Sequence, residues 1–273
     1  MQFHLSTLRT ASVVVVLLGG TAGAAQAETL RVGGTGAATQ MLQRLGAAFT
    51  ARDPGTTLEV MPSLGSTGGI AAVADGAIDF AVSGRPLKPE EAKSLTATVL
   101  ATTPFGLASS NANPGSIKRA DIAAFYRNVA SSWPDGTPVR VVLRPTSESD
   151  NALLADAFPG FAAAVEQLRQ RKEIPVAATD QDNVITAEKT AGSLIGVSLT
   201  QLLTEKPDLH FLAIDGVLPT LENFERGSYP YRKDFHFVFS SREAPAVARF
   251  IAFLRSPDGE RVLRETGNLA PRP

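Results

Sequence analysis

Two hydrophobic periods alternate along this chain. Short apolar, β-branched runs at 30–32, 57–61 and 78–82 have the look of strands. Each ends in a turn rich in Gly, Ser or Thr: 33–39, 63–69 and 83–86. Met41, Leu42, Leu45, Ala48 and Phe49 then recur at helical spacing until Asp53-Pro54-Gly55 stops the helix. A small-residue helix is predicted over 70–77. Another starts near Pro89, with acids in its first turn. Residues 97–108 form a long apolar strand broken by Pro104, and 109–115 form a turn.

Beyond that turn the pattern predicts a helix over 117–126, a turn at 133–136 and a strand over 139–143. The loop 144–151 leads to helices over 152–158 and 162–171. Weak strand character follows at 174–178, then a helix over 183–190, a strand over 192–197 and a short helix over 199–204. Strand-like residues recur at 211–214 and Val217. The alternating strand 235–239 precedes two helices, the first over 245–254 and the second from Pro257 until Gly267. The chain is α/β, and in its first part strands alternating with helices predict a parallel sheet with right-handed crossovers.

The first 27 residues break this pattern. Arg9 precedes an apolar run over 11–18, and Ala25-Gln26-Ala27 is a small-x-small cleavage site. The run is too short to span a bilayer comfortably, so 1–27 is expected to be a cleaved export signal, with a mature chain from Glu28. Losing Arg9 leaves 25 cations against 27 acids. That balance carries no nucleic-acid or polybasic membrane footprint. The chain has no cysteine, which excludes a lipid-anchored cysteine, disulfides and thiolate metal sites. The expectation is a periplasmic protein without membrane insertion, and a monomer.

Candidate chemistry lies in the turns. The segments 33–39, 63–69 and 144–151 each offer hydroxyls and free N–H groups at a helix N-terminus, where anions are favoured. One such turn is an ordinary helix cap. Three of them, with Ser83, Gly84 and Arg85 at the end of another strand, point to an anion site beyond the strand ends. Arg144 ends an apolar strand, and its fork matches a planar or tetrahedral oxyanion. A structural ion pair with Glu148 or Asp150 is its other reading. Arg85 reads equally as a ligand contact or a solvated side chain. Trp133, Tyr229 and Tyr231 read as packing residues.

Enzyme signatures are missing. Gly34-Thr35-Gly36-x-x-Thr39 lacks the third small position of a dinucleotide fingerprint, and no G-x-S-x-G, H-E-x-x-H or P-loop lysine occurs. His210 and His236 lie in separate strand-like contexts. No catalytic pair, cofactor or metal site is expected.

In order and spacing, these segments resemble the phosphate-binding substrate-binding proteins of bacterial ABC importers. The likeness runs through Gly65-Ser66-Thr67-Gly68-Gly69-Ile70, then Asp79-Phe80-Ala81-Val82-Ser83-Gly84-Arg85-Pro86-Leu87. It continues through Phe125, Trp133, Asp135-Gly136 and Arg144, the strand 192–197, and Tyr229-Pro230 with Arg232. It ends in Ser256-Pro257-Asp258-Gly259 and Gly267. The resemblance implies a two-lobed fold of the type II periplasmic-binding-protein kind, with two hinge crossings and a ligand cleft. Lobe one would be 28–106 with 233–273, and lobe two 107–232. It further implies capture of a small oxyanion, most simply phosphate, and delivery to a membrane ABC permease.

Carried over by position, the ligand shell would be backbone at Ala37 and Ala38, then Ser66, Thr67, Ser83, Gly84, Arg144, Glu148, Ser149 and Asp150. Two positions depart from the family. Gly84 stands where an acid or Ser is frequent, and Glu148-Ser149-Asp150 replaces Ser-Gly-Thr. Carboxylates near a dianion repel it unless they are protonated, turned away or paired with Arg144. A carboxylate can accept a ligand O–H, which favours a protonated anion over one such as sulfate. A ligand with a cationic group, and a sensor or scaffold of the same fold with altered binding, stay open.

Overall fold

Residues 28–127, 131–240 and 244–271 are described by a computed structural model. The predicted export signal lies outside them. In chain order the first elements are β1 (Glu28–Gly34), α1 (Thr39–Arg52), β2 (Thr56–Val60), α2 (Gly65–Ala74), β3 (Phe80–Ser83) and β4 (Leu95–Ser109). Then come β5 (Ser116–Ile117), α3 (Ile122–Arg127), β6 (Arg140–Val141), α4 (Ser149–Ala157), α5 (Phe161–Arg169) and α6 (Asp180–Lys189). The rest are β7 (Ser193–Ser198), α7 (Leu199–Glu205), β8 (His210–Phe211), β9 (Ala213–Ile214), α8 (Leu221–Glu225), β10 (Arg232–Ser240), α9 (Pro245–Leu254) and α10 (Pro257–Glu265).

One sheet runs in the order β2-β1-β3-β10-β4-β7-β6, with β8 added to β4. Its first three strands are parallel, as the first part of the chain predicts, but the sheet as a whole is mixed. β1 is parallel to β2 and β3, and β6 to β7. β10 lies antiparallel to both β3 and β4, and β4 antiparallel to β7. The strand from the chain's end therefore sits in the middle, between strands from its first half.

β4 is one continuous strand of 15 residues, not two pieces broken at Pro104. Up to Pro104 it pairs with β10; from Phe105 to Ala108 it pairs with β7 on its other edge. The proline, which has no N–H to give, falls where β4 changes partners. The helix expected from Pro89 shrinks to a single 3-10 turn, Glu91–Lys93. There Glu91 is drawn away to accept from both guanidinium nitrogens of Arg85 at 2.8 Å and from the Lys88 N–H at 2.7 Å.

Two large apolar cores flank this sheet. In the first, Met41, Leu42, Leu45 and Phe49 of α1 meet Phe80, Phe237 and Phe250. The rings of Phe80 and Phe237 stack at 4.4 Å, and Phe49 meets Phe250 edge-on at 5.2 Å. The second gathers Phe105, Tyr126, Trp133, Phe158, Phe161 and Tyr229. β4 contributes Leu100 and Ala101 to the first core and Phe105 and Leu107 to the second. Burying such an aromatic side chain contributes roughly 1.5–3 kcal/mol. Trp133 and Tyr229 are packing residues, as expected: the indole donates to the Gly192 carbonyl and the phenol to the Phe105 carbonyl. Among the described residues, no helix is long and apolar enough to cross a membrane.

Candidate oxyanion site

Three donors converge on one carboxylate at the start of α6. β1 runs into Thr35 and the 3-10 turn Gly36–Ala38. From this turn the Thr35 hydroxyl donates to Asp180 Oδ2 at 3.1 Å and the Ala37 N–H to the same oxygen at 3.0 Å. From a third segment, an Arg144 terminal nitrogen donates to Asp180 Oδ1 at 3.3 Å. Asp180 opens α6. Thr179 and Asp182 close a capping box around it, which fixes the start of the helix and hence the direction of the carboxylate. The Gln201 amide holds the Asp180 carbonyl at 3.0 Å. Gly36 suits this closeness: a Cβ there would lie 2.4 Å from Gln181 Oε1, 2.8 Å from Ser63 Oγ and 3.0 Å from the Asp180 Cβ, so these side chains would have to give way.

Arg144 is 7% exposed. Its other terminal nitrogen donates to the Ala177 carbonyl at 3.2 Å, and the nitrogen that reaches Asp180 also pairs with Glu148 at 2.9 Å. Its Nε is buried and has no acceptor among the described residues. The loop after it is braced, since Arg169 donates to the Arg144 carbonyl and Asn151 to the Pro145 carbonyl, each at 2.7 Å. A cation so enclosed must meet anions, because an unpaired buried charge costs several kcal/mol.

A second buried pair lies alongside. Lys233 of β10 is 1% exposed and donates to Asp150 of α4 at 2.5 Å. Gly84 makes room for it: a Cβ at that position would stand 2.9 Å from Lys233 Cε and 3.1 Å from Ser149 Oγ. Two cations thus face three carboxylates, Glu148, Asp150 and Asp180.

The electrostatics follow from this crowding. Burial pushes the Glu148 carboxyl up; the Arg144 charge pulls the other way, and Asp180 and Asp150 add to the rise. For Asp180 burial also opposes ionisation, but Lys233, Arg144, the Ala37 N–H and the Thr35 hydroxyl together hold it below the usual range. Burial works against the Lys233 charge, yet Asp150 and Asp180 keep it above its ordinary value. Asp180 and Lys233 therefore stay charged in a dry setting, and Glu148 is the one pressed toward its neutral form.

The residues expected at the site divide into three groups. Ala37, Arg144 and Glu148 meet around Asp180, as described. Ser66, Thr67, Glu148 and Ser149, with Arg85 and Ser147, line a cavity of about 210 Å³ at the N-terminus of α2. There the Gly84 N–H donates to Ser66 Oγ at 2.9 Å, and Arg85 donates to Thr67 Oγ1 at 3.3 Å. Ser83 and Ala38 turn elsewhere. The Ser83 hydroxyl is spent on the Arg85 backbone, and the Ala38 N–H on the Thr35 carbonyl. Asp150 faces Lys233 and not Arg144.

Two predicted loops are shorter than expected. α2 starts at Gly65, inside the Gly/Ser turn, and α4 starts at Ser149, so Ser149 and Asp150 are helical. Thr35, Asp180 and Lys233 went unselected in the sequence. Lys233 had a readable signal: it shares the buried parity of Phe235 and Phe237. Among the described residues, no group of three or more His, Asp or Glu is arranged to hold a metal ion.

Comparison with known proteins places this geometry in context. The family model for the PBP superfamily domain matches residues 19–258. Phosphate-binding protein PstS 2 of Streptococcus pneumoniae is 30% identical over 105 residues, 38% of this chain. The match spans 36% of that relative's length. Among solved structures, a phosphate ABC transporter substrate-binding protein with bound phosphate, from Clostridium perfringens, aligns with TM-score 0.77 at 17% identity. It covers 90% of this chain and all of that one. An ABC-type phosphate transport receptor from Vibrio cholerae aligns at 0.63 and 20% identity, over 89% of this chain and all of its own. The reduced OxyR regulatory domain of Pseudomonas aeruginosa aligns at 0.55 and 10% identity, over 84% and 98%. At these identities the structural likeness speaks for the fold, which is periplasmic-binding-protein-like, type II.

Proposed function

This chain belongs to the PBP superfamily, and from that premise we propose that it is an exported solute-binding protein that takes a small oxyanion, phosphate first, and presents it to a membrane ABC permease. Its lobes would be 28–106 with 233–273, and 107–232. One observation carries the reading: a hydroxyl, a backbone N–H and a guanidinium from both proposed lobes converge on a single carboxylate. Donors so fixed hold oxyanions in general, since carboxylate and phosphate offer the same acceptor geometry. The buried Arg144 Nε, without an acceptor, adds a donor to the set. The phosphate-related names among the relatives support the choice of first ligand.

The mechanism is closure. A solute that touches both lobes binds the closed form more tightly than the open one and shifts the population toward it by that difference. The closed form is the one a permease would recognise. No step of covalent chemistry is involved.

Titration calorimetry of the mature chain against phosphate, phosphonate, sulfate and molybdate tests this. Arg144→Ala should weaken oxyanion binding by about 10–100-fold, the loss of a charge-assisted hydrogen bond. Unchanged affinity would remove Arg144 from the site. A second reading is favoured by a specific observation: the three carboxylates already occupy both buried cations. On that reading the fold is a ligand-sensing or scaffold protein with altered or lost oxyanion binding, and the wild-type chain takes up none of the four anions.

A further inference from the structure

Asp180 sits where two contacts of the expected ligand shell, the Ala37 N–H and the Arg144 guanidinium, come together. Its side chain does there what a bound oxyanion would do. One oxygen accepts from the turn after β1, across the proposed cleft, and the other accepts from Arg144 on its own side. It is 4% exposed, and its backbone is locked by the capping box of α6 and by Gln201. Gln181, its neighbour, donates to the Gly36 carbonyl at 2.9 Å, so the same helix end grips the opposite turn twice.

We infer that the Asp180 carboxylate is a built-in ligand: it occupies the oxyanion cradle, draws the two halves together without any solute, and must be displaced before a free oxyanion can use those donors. This deepens the proposed function and rests on its placing the solute cleft here. A tethered group competes at an effective concentration of roughly millimolar or above, and more when its backbone is held in place. A free anion therefore binds the wild-type chain with an affinity reduced by the fraction of molecules in which Asp180 has swung away. Asp180 is in this sense a specificity residue. It excludes weak oxyanion binders and admits only solutes that replace all its hydrogen bonds and add contacts in the neighbouring cavity at Ser66, Thr67 and Ser149.

The test is replacement of the tether by a free anion. In Asp180→Ala, formate and phosphate should bind at least about 10-fold more tightly than in the wild-type chain, read by calorimetry. The thermal midpoint of the variant, lowered in plain buffer, should climb with anion concentration, by about 5 °C or more at a hundredfold excess over Kd. The wild-type midpoint should hardly move with formate. Small-angle scattering should show the variant expanded without anion and wild-type-like with it. Adding Arg144→Ala to the variant should abolish the gained binding. Asp180→Asn keeps the shape and removes the charge; it is read in the same assays if the alanine variant does not fold.

Wild-type and variant chains binding phosphate equally well would overturn the built-in ligand while leaving the proposed function standing. Binding by the variant alone would uphold the built-in ligand and defeat oxyanion capture as the natural role. Binding by neither would overturn both.

Discussion

Glu148 takes up a proton more readily than an ordinary glutamate because burial outweighs what Arg144 gives back, with Asp180 and Asp150 adding to the rise. A carboxyl whose folded pKa is raised contributes favourably only while protonated. That contribution is complete below the ordinary value of 4.5 and is lost as pH rises through the folded value. Glu148→Gln should therefore raise the thermal midpoint at about pH 7, and the gain over wild type should vanish as pH falls to about 4.5. Asp180 has the opposite sign. Its lowered pKa gives stability that is present above 3.8 and lost on further acidification. Circular-dichroism melts of both chains across pH would check the first claim; a gain independent of pH would refute it. At this scale the sequence was half legible. Arg144 and Glu148 could be picked out because a charged residue closing an apolar strand needs a partner. Asp180 could not, because it lies some 36 residues from Arg144 and looks like an ordinary helix-capping acid.

Elements were the more readable level, since periodicity is a local property. α1, α5, α9 and α10 stand where their apolar spacing put them, each stopped or started by Gly, Pro or Ser. What failed depended on partners distant in sequence. The sheet is mixed because β10 returns to its centre, a pairing no local pattern contains. The helix near Pro89 was lost to an Arg85–Glu91 pair that outbid the turn. That pair draws the Glu91 carboxyl down to about 2. Among the caps, Thr179 matters most, because it sets α6 and the aim of Asp180 together. Thr179→Ala should cost about 1 kcal/mol in a urea melt and loosen the grip on Ala37 as well. Amide exchange at Ala37 faster than the global loss of stability allows would be the specific mark; exchange tracking stability alone would confine Thr179 to capping.

For the molecule as a whole, the Lys233–Asp150 pair is a buried tie between β10 and α4. Removing one member strands the other without water. Lys233→Met should cost about 3–5 kcal/mol, and Lys233→Met with Asp150→Leu should recover most of it. A double variant as unstable as the single one would show that the pair is worth more than apolar packing in its place. The tie joins parts served by separate cores, yet β4 passes through both without a gap. Around Pro104 that strand passes from one neighbour to the other without a break: the Phe105 N–H still donates to the Tyr231 carbonyl, just before β10, while Phe105 already pairs with Ser198 of β7. A closure of the proposed kind would therefore have to flex continuous paired backbone, closer to a leaf spring than to a door on loose pins. Every degree of such an opening would work against the twist of the strands themselves.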